Sequence, residues 1–277
     1  MGMKRRWLGN SVSYIYLTIL AAVATFPLLW IISSSFKSPG EMVGSPLSFF
    51  PKEPTLLYYD RVLNVLNFDV NIVNSIIVAL SATFISIVIS ALAAYGIVRF
   101  FPRVGKVMTR VLITTYLFPP ILLAIPYSIL ITKVQLANSL VGLVITYLSF
   151  SIPYAVWLMI GFFRTVPLEI EEAARVDGAN KLMVFYRIAL PVVAPGIVAV
   201  AVYTFINAWN EFLFSLILIN STGKMPVSVA LYSLTGAEIL DWGEMMAASV
   251  LVILPSVIFF LIIQNKIAGG LTQGSVK

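Results

Sequence analysis

Apolar residues form long runs along the chain, and charged residues are gathered into short segments between these runs. A helix rises about 1.5 Å per residue and the hydrocarbon core of a bilayer is about 30 Å thick, so a spanning helix needs about 20 residues nearly free of charge. Six windows meet this requirement, and Glu211 interrupts one of them. The pattern predicts an all-α membrane protein with six transmembrane helices. We place the spans near residues 12–32, 72–98, 108–131, 140–163, 195–219 and 246–264.

Composition excludes several classes of protein. Of the 277 residues, 60% are hydrophobic and 11% are charged, which is too few charges to cover a soluble surface. The chain has no cysteine and no histidine, which excludes disulfides, thiolate or imidazole metal sites and histidine-dependent catalytic triads. We therefore expect neither an enzyme nor a metal site. The net charge is +6, and the basic residues that give it lie beside the apolar runs. Orientation of the chain in the bilayer explains this placement better than nucleic-acid binding does.

Lysine and arginine lie mostly on one side of the predicted spans. Thirteen of the 18 fall in the N-terminal segment, in the loops after spans 2 and 4, and in the C-terminal tail. By the positive-inside rule this side is the cytoplasm, so we expect a multi-pass protein of the plasma or inner membrane with both termini cytoplasmic. The segment 164–195 and the tail 265–277 then face the cytoplasm, within one transmembrane domain over 1–277. Basic residues before the first apolar run also fit a signal peptide, although the run is longer than a typical signal segment.

The cytoplasmic segment between spans 4 and 5 has the features of a helix that ends in a glycine turn. Pro167 can begin this helix, with Thr165 as a possible cap. Acidic residues follow in its first turns, where the helix dipole favours them. Glu171 and Arg175 are four residues apart, the spacing of a stabilising ion pair. Gly178 can then end the helix, because glycine adopts the left-handed conformation without steric cost.

A second short helix is predicted directly after this turn. Leu182, Phe185 and Ile188 mark one apolar face of it, and Pro191 disrupts it. The whole segment therefore reads as a helix-turn-helix beneath the bilayer. Two interpretations remain open, an ordinary connection between spans and a rigid lever that docks into another protein.

Fixed positions in this segment resemble the EAA loop of ABC-importer permease subunits. The matching residues are Glu172, Ala173, Ala174, Gly178, Ile188, Leu190 and Pro191. Further residues are similar to the carbohydrate branch of that family, the maltose-transporter-type permeases, so the resemblance covers essentially the whole chain. These residues are Pro167, Glu169, Asp177, Ala179, Asn210, Glu211, Phe212, Gly270, Leu271, Thr272, Gly274, Val276 and Lys277.

The resemblance implies a permease subunit of an ATP-driven importer of sugars, with a maltose- or trehalose-like di- or oligosaccharide as the first expectation. In such importers the segment 164–195, which we call the coupling loop, contacts a cytoplasmic ATPase. Glu172 would anchor it, Gly178 would set its angle, and Arg175 and Asp177 would belong to the same contact. The tail residues Gly270, Leu271, Thr272 and Gly274 would also reach the ATPase.

The resemblance also implies partners. They are a second permease subunit, giving a heterodimer, two ABC ATPase subunits, and an extracytoplasmic sugar-binding protein. This chain has no G-x-x-x-x-G-K-[ST] loop, so ATP and Mg would be bound by the ATPase and no cofactor by this chain. The sequence leaves open which sugar is carried and which of the two permeases binds it.

Polar side chains recur at helical spacing in the fifth span. Tyr203, Asn207, Asn210 and Glu211 share one face. Two interpretations are open, a wall of the sugar path, or hydrogen bonds to the partner subunit together with Glu211 reaching toward the outer surface. An ionisable group at membrane depth costs about 2.5–3.5 kcal/mol, and for Glu211 we favour the structural interpretation.

The alternative function is an ion-coupled secondary transporter or channel that works without an ATPase. Such proteins carry buried acidic or basic groups in several spans, whereas in this chain only Glu211 qualifies. Pro119, Pro120 and Pro126 are expected to break the third span in either case.

Overall fold

The structure is a computed structural model that describes the backbone of residues 2–236 and 241–273, with side chains over 13–236 and 241–264. The described residues are nearly all helical and include no β-strand, which confirms the all-α class. The α-helices are α1 Gly2–Ser34, α2 Pro39–Gly44, α3 Leu57–Asp60, α4 Phe68–Arg99, α5 Pro102–Tyr116, α6 Ala124–Lys133, α7 Leu140–Arg164, α8 Leu168–Val176, α9 Lys181–Met183, α10 Leu190–Val192, α11 Ala194–Asn210, α12 Leu213–Leu218, α13 Val227–Ser233 and α14 Trp242–Gln273. Wide π-helical turns extend α3 over Arg61–Val65 and join α9 to α10 over Val184–Ala189.

Four described helices are long and apolar enough to cross a membrane: Ser13–Ser34, Phe68–Arg99, Leu140–Arg164 and Trp242–Gln264. Two further pairs of helical segments are sharply bent, by 84° between Pro102–Tyr116 and Pro120–Lys133 and by 74° between Lys181–Val192 and Ala194–Asn210. The described residues therefore contain four to six spans, and six are reached when each bent pair counts as one.

Two of the predicted spans, the third and the fifth, are interrupted for different reasons. Pro119 and Pro120 follow the end of α5, where the prolines predicted a break. The predicted span at 195–219 is divided as well, because α11 ends at Asn210 and the chain resumes as α12 only at Leu213. Glu211, the charged residue within that apolar window, lies at this interruption.

The described residues pack as two compact units, and the first comprises Met1–Asp69 and Leu231–Leu254. The apolar window of α1 has no buried residue in this structure. Tyr58 is buried and lies against the backbone of Gly243, where an added Cβ would come within 2.0 Å of the tyrosine ring. Only glycine therefore fits at this close approach.

The second unit comprises Val70–Ala230 and Pro255–Lys277. Its central element is α7, which packs against α5, α11 and α12. One core cluster surrounds Phe163, near the end of α7 that leads into the coupling loop. A second surrounds Tyr147 and Phe214. The two candidate sites described next lie beside these two clusters, so α7 positions both.

Candidate functional site

The coupling loop contains a helix, a tight turn and a second helical segment. Helix α8 begins directly after Pro167 and ends before Asp177. Gly178 has φ 89°, the left-handed conformation expected at this turn. Asn180 then caps the second segment, since its side-chain oxygen accepts from the backbone N–H of Met183 at 2.8 Å.

Two local expectations about this loop are wrong. Thr165 does not cap α8, because its hydroxyl donates back to the carbonyl of Phe162 at 2.8 Å. Leu182 does not share a packed face with Phe185 and Ile188, since Leu182 is 65% exposed while the other two are half-buried. The π-helical turn over Val184–Ala189 inserts extra residues per turn, and this shifts the apolar face.

The residues matched to the EAA pattern lie on a surface that mixes charged and apolar groups. Apolar side chains are exposed beside them, with Val176 at 88%. An exposed apolar patch rimmed by charges is typical of a protein contact. The exposed members are Glu172, Ala173, Arg175, Asp177, Gly178 and Pro191, and the half-buried ones are Ala174, Ile188 and Leu190.

The opposite face of α8 is fixed by a buried ion pair. Glu171 is 1% exposed, and its Oε1 lies 2.8 Å from Arg99 Nη2 at the end of α4. Arg99 also donates through Nε to Glu171 and through Nη2 to the carbonyl of Val166, each at 2.8 Å. The Tyr95 hydroxyl donates to the other carboxylate oxygen at 3.0 Å. The expected pairing of Glu171 with Arg175 is therefore wrong, because α8 turns this carboxylate inward.

Aromatic packing completes the joint between α4 and the coupling loop. The ring of Tyr95 lies 5.5 Å from that of Phe163 in α7 and 5.0 Å from that of Phe185 in the second helical segment. These rings keep water away from the Arg99–Glu171 pair, and a charge pair in such surroundings is disrupted only at high cost. We call Tyr95, Arg99 and Glu171 the anchor cluster. Sequence reasoning missed it because its members are up to 76 residues apart.

A cavity of about 860 Å³ lies between α5, α6, α7, α11 and α12. All four residues predicted for the sugar path, Tyr203, Asn207, Asn210 and Glu211, line it. Aromatic rings form much of the remaining wall, and we call it the aromatic cavity. Its other aromatic residues are Tyr116, Phe118, Tyr127, Tyr147, Phe150 and Phe214.

Glu211 occupies the break between α11 and α12, where its backbone is extended. Its Oε2 accepts from the Tyr147 hydroxyl at 2.6 Å, and its Oε1 accepts from the backbone N–H of Phe214 at 2.8 Å. Ser215 donates to Oε2 through both its N–H, at 3.1 Å, and its hydroxyl, at 3.2 Å. The carboxylate thus binds groups of α7 and α12 within this chain, where sequence reasoning expected the partner subunit or the outer surface.

The two asparagines of the cavity each use one amide N–H internally. Asn207 donates to the carbonyl of Tyr203 at 2.7 Å, and Asn210 donates to that of Ile206 at 2.9 Å. An asparagine side chain has two N–H donors and one oxygen acceptor. Each amide therefore retains a donor and an acceptor that a ligand hydroxyl can use.

The tail predicted to reach an ATPase lies largely outside the described side chains. Gly270, Leu271 and Thr272 fall in the helical backbone of α14, without described side chains. Gly274 lies outside the described residues altogether.

Comparison with known proteins gives consistent matches over most of the chain. Residues 86–272 match the family described as "Binding-protein-dependent transport system inner membrane component". The chain is 34% identical to the trehalose/maltose transport system permease protein MalG of Thermococcus litoralis, over 94% of each chain. It is 32% identical to the trehalose transport system permease protein SugB of Mycobacterium tuberculosis, over 94% of this chain and 95% of that one.

Two solved structures are similar in fold. A chain of a bacterial ABC transporter involved in the import of the acidic polysaccharide alginate superposes with a TM-score of 0.82. The match covers 96% of this chain and 98% of that chain at 22% identity, so it shows a shared fold. A chain of the alginate transporter in complex with a pentasaccharide-bound periplasmic protein gives a TM-score of 0.55 at 15% identity, covering 95% and 94%.

Proposed function

Because the chain belongs to the family of binding-protein-dependent transport system inner membrane components, we propose a specific role for it in sugar uptake. It is a multi-pass membrane protein and a transport subunit, not an enzyme, and it works with a substrate-binding protein. We infer that its cargo is a di- or oligosaccharide, since curated relatives are named for trehalose and maltose, for trehalose, and for diacetylchitobiose.

The proposed topology has six spans in one transmembrane domain of the plasma or inner membrane, with both termini in the cytoplasm. Each bent helix pair then contributes one span, which in the second pair is Ala194–Asn210, because Lys181–Val192 belongs to the coupling loop. The excess of lysine and arginine on the side of the coupling loop supports this orientation.

The two-sided character of α8 is the observation that carries the proposed mechanism. One face exposes Glu172 and Arg175, and the other buries Glu171 against Arg99. A partner that moves the exposed face therefore also moves the end of α4. We propose that closure of an ABC ATPase dimer pulls the coupling loop and shifts the spans between inward-open and outward-open states.

Each part of the loop has a role in this proposal. Glu172 provides a charged contact to the ATPase, and Gly178 fixes the angle between α8 and the second helical segment. The remaining contacts come from Ala173, Ala174, Arg175, Asp177, Ile188, Leu190 and Pro191, and from Gly270, Leu271, Thr272 and Gly274 in the tail. ATP and Mg are held by the ATPase, and this chain holds no cofactor.

The proposed assembly contains a second, different permease subunit, two ATPase subunits and the sugar-binding protein. To test it, the tagged chain is purified from native membranes with its copurifying proteins, and the complex is reconstituted into liposomes. Uptake of labelled trehalose and maltose is measured with and without ATP, with and without the binding protein, and after the proton gradient is collapsed. We expect uptake that needs ATP and the binding protein and survives collapse of the gradient. Uptake that persists without ATP and stops when the gradient is collapsed would establish the ion-coupled alternative.

A further inference from the structure

We propose that the aromatic cavity of this chain binds an uncharged saccharide, and that the carboxylate of Glu211 excludes anionic sugars from it. This rests on the proposed function in sugar uptake. It adds a binding site in this subunit, a substrate class and a residue that determines specificity.

The charge of the cavity wall is the first argument. Among the described residues that line the cavity, Glu211 is the one with an acidic or basic side chain, and its partners in the described structure are hydroxyls and backbone N–H groups. A carboxylate that is not neutralised by a cation repels an anion that comes close to it. An anionic sugar in this cavity would face that repulsion with no lysine or arginine in the described wall to offset it.

The hydrogen bonds of Glu211 fix the position of its carboxylate at the cavity wall. Donors from α7 and α12 occupy both of its oxygens, through the Tyr147 hydroxyl, the Phe214 N–H and two groups of Ser215. A carboxylate accepts hydrogen bonds at both oxygens, so donors of this kind suit it.

The remaining wall suits the two faces of a sugar ring. The rings of Tyr203 and Tyr116, which both line the cavity, have centroids 6.3 Å apart. Aromatic surfaces of this kind cover the apolar C–H face of a pyranose, and Asn207 and Asn210 supply amide groups for its hydroxyls. The cavity volume of about 860 Å³ lies within the range of about 300–1,000 Å³ typical of small-molecule sites.

The natural absence of cysteine allows a direct test by single-cysteine labelling in the complete importer complex. Reporter cysteines are placed in the cavity as Asn207→Cys and, separately, Thr114→Cys. A matched control is Thr222→Cys, an exposed position that does not line the cavity. Each is labelled with a cationic and an anionic water-soluble methanethiosulfonate reagent, and the cation-to-anion rate ratio is divided by that of the control.

We expect the normalised ratio in the cavity to be about tenfold or more above that of the control, because one uncompensated charge acts over a short distance. Glu211→Gln should bring the ratio close to the control value, and Glu211→Asp, which keeps the charge, should maintain it. Saturating maltose, trehalose or chitobiose is then tested for slowing the labelling at both reporters. The anionic disaccharide analogue maltobionate is tested in parallel.

Protection by at least one neutral disaccharide and none by maltobionate supports the proposal. Equal ratios at cavity and control, protection by maltobionate, or no protection by any neutral disaccharide each overturns it. Failure of both reagents to label either reporter also overturns it, because the cavity would then be closed to water. ATP-driven uptake of sugar in the same preparation would leave the proposed function standing in all these cases.

Discussion

Replacement of Arg99 by methionine is the sharpest test of how the coupling loop is joined to the spans. Arg99→Met retains much of the side-chain volume and removes the ion pair with Glu171 and two hydrogen bonds, one to Glu171 and one to the carbonyl of Val166. The side chains of Arg99 and Glu171 are 7% and 1% exposed, so the glutamate would be left charged and buried, or the loop would have to release it.

The size of the effect follows from this burial. Breaking a buried pair by removing one partner costs about 3–5 kcal/mol. A penalty of about 3 kcal/mol shifts an equilibrium by roughly a hundredfold. The coupling loop docked on α4 should therefore lose most of its free-energy difference from a detached loop. The exposed face of α8 can still contact an ATPase.

The assay is the number of sugar molecules transported per ATP hydrolysed, measured in liposomes that contain the complete complex. We expect Arg99→Met to hydrolyse ATP while transporting severalfold less sugar per ATP. Arg103→Met is the matched control, since Arg103 is exposed in α5, and it should transport as the parent does. The double variant Arg99→Met/Glu171→Met should lose less stability than the sum of the two single variants, because no unpaired charge remains buried.

Two outcomes would refute this reasoning. One is a transport-to-hydrolysis ratio in Arg99→Met equal to that of the parent or of Arg103→Met. The other is strict additivity in the double variant. Copurification of the ATPase separates either result from a failure to assemble.

The remaining predictions concern other parts of the chain. Glu172→Lys should abolish copurification of the ATPase by reversing an exposed charge of the docking face. Glu169→Lys, which changes another exposed glutamate in the first turn of α8, should reduce copurification much less, and equal losses would argue against a specific role of Glu172. Gly178→Pro should abolish transport without preventing membrane insertion, because proline cannot adopt φ 89°, and normal uptake would contradict this. The backbone N–H of Lys52 lowers the pKa of the Glu41 carboxyl below its usual 4.5. The loop that this contact orders should therefore be stable above pH 4.5 and should loosen as the pH falls through the lowered pKa. The measurement is hydrogen exchange at the Lys52 amide, and equal exchange at neutral and acidic pH, after correction for the intrinsic rate, would contradict this.

Local features of the coupling loop were predictable from the sequence because their causes are local. A proline at the start of α8, a glycine at its end and the intervening acidic residues specify the helix and the turn within a dozen residues. The break before Pro119 and Pro120 follows equally from one residue type. The helical face shared by Tyr203 and Asn207 also follows from spacing alone.

Features that depend on distant parts of the chain were not predictable in this way. Glu171 had a suitable partner four residues away, and only the packing of α8 on α4 shows that Arg99, 72 residues earlier, binds it. The break at Glu211 arises because its carboxylate holds the start of α12, an interaction that apolar composition does not reveal. Leu182 was misplaced because periodicity assumes a regular α-helix, whereas the next turn is π-helical.

The length of α7 has a mechanical consequence. One end of this helix leads into the coupling loop at Arg164, and Tyr147, which binds Glu211, lies 17 residues away along the same rod. That separation is about 25 Å at 1.5 Å per residue. A tilt of about 10° about the loop end would displace Tyr147 by roughly 4 Å, well beyond the tolerance of a hydrogen bond. Unless α11 tilts with α7, the 2.6 Å hydrogen bond between Tyr147 and Glu211 in the cavity would therefore break when α7 tilts about its coupling-loop end.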